Sequence, residues 1–71
     1  MDSVTRLSSE YAVAIKVRCG TALFAARAAL QVMTEAGGAE DMLADLRDVI
    51  TGLENIETEC ERVIVGRIVN A

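Results

Sequence analysis

Residues 39–63 read AEDMLADLRDVITGLENIETECERV, and their apolar positions keep a seven-residue spacing throughout. Ala39, Met42, Leu46, Val49, Leu53, Ile56, Cys60 and Val63 step by alternating three and four, the pattern of an α-helix with one packed seam. Leu43, Ile50 and Ile64 widen that seam into a broader apolar face. Directly upstream stands the pair Gly37-Gly38, and before it a second long apolar-periodic stretch. The chain therefore reads as all-α, a single antiparallel two-helix hairpin. Helix 1 covers about residues 3–36, the turn 37–38, and helix 2 about residues 39–69.

The ends follow from capping chemistry. Asp2 or Ser3 can open helix 1, and Ser8-Ser9 offers a later start with Glu10 in the first turn. Gly37 suits the left-handed position that closes many helices, and Gly38 can cap the next one. Glu40 and Asp41 then sit where the helix dipole favours negative charge. The run from Arg62 to Val69 is rich in β-branched residues and contains Gly66, which lowers helix propensity. With no second strand to pair with, it reads as helix that frays after Val65.

Each helix would be about 45 Å long at roughly 1.5 Å per residue. A turn centred between Gly37 and Gly38 brings level those residues whose numbers sum to about 75. The inward stripe of helix 1 is then Val4, Leu7, Tyr11, Ile15, Ala22, Ala26, Ala29 and Met33. Ala22 falls near Leu53, Ala26 near Val49, Ala29 near Leu46 and Met33 near Met42, so small residues meet large ones. Ile15, Ile56 and Cys60 extend the same seam. Arg18 interrupts the stripe, and the register puts Glu57 opposite it. A buried guanidinium needs a carboxylate, so Arg18 and Glu57 are expected to form an ion pair, the alternative being Arg18 extended to solvent.

The 71 residues suit one small domain, 52% hydrophobic but only 3% aromatic, without Pro, Trp or His. Two helices alone leave a side of each uncovered, which calls for self-association or a partner protein. Helix 1 carries a second apolar row, Val13, Val17, Phe24 and Ala28, with Gly20 among them. Together with Val65 and Val69 on helix 2 it forms the expected partner-binding surface, since a helix apolar on two sides is buried on two sides.

Charge narrows the partner class. The net charge of −4 divides into four basic and three acidic residues through Gly38, then three basic and eight acidic beyond it. An acidic chain with no basic stripe is a poor match to nucleic acid and lacks the cationic face of a membrane-surface helix. Lys16, Arg18 and Arg27 fall in the most apolar stretch, 12–33, which disfavours membrane spanning. Met1-Asp2-Ser3 is acidic where a secretory signal is basic, and the default compartment is the cytoplasm.

No chemistry is expected. Without His there is no Ser/His/Asp or Cys/His set and no zinc site for Cys19 and Cys60, which read as small core residues. Asp41, Asp45 and Asp48 share a flank of helix 2 but lack ligands from a second element, so they read as a solvated face. Neither a metal nor a cofactor is called for, and an enzyme is not expected.

Two helices at a Gly-rich turn, the opening Val4-Thr5-Arg6-Leu7 and the segment Leu53-Glu54-Asn55-Ile56-Glu57 before a β-branched tail carry a resemblance. In layout the chain resembles the small co-chaperones of type III secretion needle subunits. That resemblance implies a cytoplasmic protein paired with a larger helical-repeat chaperone, the two holding an aggregation-prone needle subunit as a soluble monomer until export. It has no sharp motif, so no residue role carries over. Two other readings stand beside it: a homodimeric four-helix bundle serving as an oligomerisation module, and a small acidic antitoxin or anti-regulator filling a partner's groove.

Overall fold

The structure, a computed structural model, describes residues 8–70, with side chains described for residues 8–66. It is an antiparallel hairpin of two helices packed along their length, α1 (Ser9–Glu35) and α2 (Glu40–Asn70). The expected caps at Asp2 and Ser3, the stripe positions Val4 and Leu7, and the side chain of Val69 lie outside the described residues. No candidate membrane span, a helix long and apolar enough to cross a bilayer, occurs among the described residues.

Local chemistry sets the helix ends. Ser8 is extended, with φ −72° and ψ 156°, and its hydroxyl accepts the Tyr11 backbone N–H at 3.2 Å. That is the N-cap geometry in which a side-chain oxygen satisfies an otherwise unpaired helix donor. An unbroken helix from residue 3 is therefore corrected: the later start at Ser8-Ser9 is used. At the other end Gly37 takes φ 75°, its N–H donating to the Thr34 carbonyl while the Gly38 N–H donates to the Met33 carbonyl at 2.7 Å. These two bonds are the Schellman closure that satisfies terminal carbonyls. Gly38 belongs to that closure and does not cap α2. The N-terminal carbonyl of α2 comes from Ala39, which accepts the Leu43 N–H.

The packed seam is rotated from the expected one. Among the described residues, Ala12, Cys19, Leu23, Leu43, Ile50 and Cys60 are the buried apolar ones, with Ile15, Ala26, Leu30, Leu46 and Leu53 half-buried beside them. On α2 the buried line runs 43, 46, 50, 53, 57, 60, 64, whereas the expected line was 42, 46, 49, 53, 56, 60, 63. Both step by three and four, and they share Leu46, Leu53 and Cys60. Choosing the first turns α2 by about 50°, half of the roughly 100° one-residue step.

Seven inward assignments are corrected as a result, Ala39 and Met42, both exposed, among them. Ala22 and Ala29 are exposed, and Val49 and Ile56 are 52% and 44% exposed. Tyr11, expected inward, is also exposed. Area explains the choice on α1: Leu23 and Leu30 take the inner positions in place of Ala22 and Ala29. Each Leu carries three more carbons than Ala, and a buried CH₂ is worth about 0.8 kcal/mol.

The level pairing also shifts. Lys16 meets Glu61 at 3.5 Å and Gly20 lies against Glu57, which puts the open end of the hairpin at a sum of 77 where 75 was expected. Arg27 reaches diagonally to Glu54, donating to its carboxylate at 2.7 Å. The Arg18–Glu57 pair is absent among the described ion pairs. Arg18 is exposed beside Ile15, Ala22 and Leu53 on one side of the hairpin. Glu57 is half-buried beside Lys16 and Gly20 on the other. The same rotation that exposes Ala22 carries Arg18 outward with it.

Candidate protein-interaction surface

A two-helix hairpin has one seam and two open flanks. Because α1 and α2 both carry apolar residues beyond the seam, each flank here is an apolar strip edged by charge.

The first, the Val17 flank, forms a groove of about 760 Å³ lined by Val13, Val17 and Gly20 of α1 with Ile64 and Val65 of α2. Gly20 leaves the groove floor open where any other residue would fill it. Phe24 stands four residues, about one turn, beyond Gly20 on the same face of α1 and is 77% exposed. Ala28, also exposed, continues that face by another turn. Of the expected partner-binding residues, Val13, Val17 and Val65 are thus brought together, and Phe24 and Ala28 extend their line.

Charges edge this groove in a fixed sense, cations on α1 and anions on α2. Lys16 pairs with Glu61 and Arg27 with Glu54, and Glu57 lies between them. The side chains of both pairs are about half exposed or more, apart from Lys16 at 37%. Exposed pairs contribute about 0–1 kcal/mol each, so their effect is on register and on the choice of a docking partner more than on stability. The sequence reading missed Lys16, Glu61 and Ile64 as groove residues. Their signal was present as helical spacing, Lys16 three residues after Val13 and four before Gly20, and Glu61 three before Ile64 and four before Val65.

The second, the Val49 flank, holds two shallower concavities. One is lined by Ala14, Ile15, Arg18, Cys19, Ala22 and Leu53. The other is lined by Ala29, Met33, Met42, Asp45, Leu46 and Val49. Ile56 joins Met42 and Val49 by its seven-residue spacing. Three of the expected level pairs, Ala22 with Leu53, Ala29 with Leu46 and Met33 with Met42, do line shared concavities. They meet on the open flank of the hairpin, not inside it. The expected seam residues that turn outward, Ala22 and Ala29 on α1 and Met42, Val49 and Ile56 on α2, form an apolar surface with small side chains on α1 and large ones on α2.

Cys19 and Cys60 are buried free thiols in the seam. Burial raises the pKa of the Cys60 thiol, with the neighbouring Cys19 adding to the effect, which keeps it protonated and unreactive near neutral pH. Among the described residues no group of three or more His, Cys, Asp or Glu is placed to hold a metal ion. What the arrangement offers is apolar rows at helical spacing, suited to receiving another helix. Comparison with protein-family models, with curated proteins and with solved structures gives no significant match.

Proposed function

We propose that this chain is a non-enzymatic, cytoplasmic co-chaperone that, with a larger helical-repeat chaperone, keeps a type III secretion needle subunit soluble before export. The observation that carries the interaction reading is the Val17 flank. It combines a groove of Val13, Val17, Ile64 and Val65 with a charged edge and with Phe24 projecting beside it. A free-standing hairpin gains nothing from exposing Phe24, whereas an aromatic anchor next to an apolar groove is what a helix-binding surface uses. The needle-subunit assignment rests on the resemblance in layout and sequence described above.

Co-expression tests it. The chain is produced with the needle subunit and the helical-repeat chaperone of the same genome, and the soluble fraction is sized by chromatography with light scattering. The expected result is a discrete soluble complex containing all three chains and a single needle subunit. A needle subunit that partitions identically with and without this chain would sink the proposal.

A further inference from the structure

We infer that the Val49 flank is the interface of a twofold-symmetric homodimer in which α1 of each copy lies on α2 of the other. The inference concerns the flank opposite the Val17 groove and does not depend on the identity of any other partner.

Three observations select a second copy as the occupant. The first is size complementarity. On this flank α1 presents the small row Ala22 and Ala29, and α2 presents the large row Met42, Val49 and Ile56. A twofold axis running along the hairpin sets the small row of one copy against the large row of the other. An axis across the hairpin would set small on small and large on large, leaving gaps on one side and crowding on the other.

Area is the second. A flank of two helices, about 40 Å long at 1.5 Å per residue and about 20 Å wide at ordinary helix spacing, presents on the order of 800 Å². A stable interface buries about 800 Å² per partner. The resulting four-helix bundle supplies the second layer that a hairpin with six buried apolar residues among those described lacks.

Charge is the third. Arg18 makes no ion pair among the described residues and lines a concavity of this flank with Ala22 and Leu53. A twofold axis along the hairpin preserves level, and at the observed sum of 77 the residue level with Arg18 is Glu59. Its carboxylate is exposed on α2, where its described partner is Arg62 of the same helix. In the dimer Arg18 of each copy therefore comes level with Glu59 of the other.

Sedimentation equilibrium on the full chain tests the arrangement. The wild type is expected at about twice its 7.6 kDa mass. Val49→Glu should raise the dimer dissociation constant at least tenfold, about 1.4 kcal/mol. Thr58→Lys, half a turn round α2 from Val49, should leave it unchanged. Because Val49→Glu can also unfold the chain, the charge swap decides independently. Arg18→Glu and Glu59→Arg should each weaken the dimer, and the double variant should restore it. A chain that stays monomeric up to about 1 mM, where association is weaker than about −4 kcal/mol, overturns the inference. So does a dimer that survives Val49→Glu, or a double swap that gives no restoration.

Discussion

Gly20 lies beneath the carboxylate of Glu57: a methyl group placed on Gly20 would come within 3.6 Å of Glu57 Oε2. Glu57 occupies a seam position of α2, on the line of Leu43, Ile50 and Ile64. The seam accepts a half-buried carboxylate there because the facing residue has no side chain, and because Lys16 lies in the same groove. Gly20 thus leaves room for Glu57 at a seam position of α2.

From this relationship follows a graded substitution series at Gly20. A separation of 3.6 Å is ordinary van der Waals contact, so Gly20→Ala fits without displacing Glu57. It should raise stability by about 0.5–1 kcal/mol through helix propensity. Gly20→Leu should lose that gain, because the longer side chain occupies the space of the carboxylate. Urea midpoints of the two variants check the order; a destabilising Gly20→Ala would contradict the described placement of Glu57.

The glycines of the turn and of α2 separate backbone strain from crowding. A methyl group on Gly37 or Gly52 would meet no neighbouring side chain within 4 Å, yet Gly37 has φ +75° and Gly52 is helical. Gly37→Ala should cost about 1–2 kcal/mol, the penalty of a left-handed L-residue. Gly52→Ala should gain about 1 kcal/mol. Thermal or urea unfolding of the two variants should move in opposite directions.

Both the legible and the illegible parts of the fold trace to the same residues. Gly37 marked the turn because only a left-handed residue closes a helix in this way, a local requirement that spacing reveals directly. The packing face was harder. Leu46, Leu53 and Cys60 belong to both possible seams of α2, so the choice fell to the alternate positions. Met42, Val49, Ile56 and Val63 form an uninterrupted apolar row, whereas the true row contains Glu57. The compensating gap at Gly20 is a contact between residues far apart in sequence, which no spacing within α2 can show. The outer row of Val13, Val17 and Val65 was legible because it depends only on the helical period of each strip.

Arg27 and Glu54 provide a measure of what the charged edge contributes. Their 2.7 Å contact is exposed on both sides, so a double-mutant cycle with Arg27→Ala and Glu54→Ala should give a coupling of about 0.2–1 kcal/mol. Added salt should diminish it. A coupling above about 2 kcal/mol would mean that the pair is buried, against its described exposure.

Cys60 gives the hairpin an alkaline sensitivity. Its folded pKa is raised by burial, so the folded state holds the thiol proton more tightly than the unfolded state. That stabilisation is fully present below the unfolded thiol pKa of about 8.5 and is lost as pH rises through the folded value. The melting temperature should fall with rising pH in that range, and Cys60→Ala should show a shallower fall despite a lower starting stability. Parallel pH profiles of the two proteins would contradict this.

The central claim is that the Val17 flank is a docking surface and that Phe24 is its anchor, and the affinity of Phe24→Ala for the proposed needle-subunit and chaperone pair tests it most directly. Truncating a desolvated aromatic anchor costs about 2 kcal/mol or more, roughly thirtyfold in dissociation constant. Phe24 is 77% exposed in the hairpin, so the variant should keep the circular dichroism of the wild type. Calorimetric titration showing a thirtyfold weaker complex with unchanged helicity is the predicted result; unchanged affinity, or loss of helicity in its place, would contradict the account.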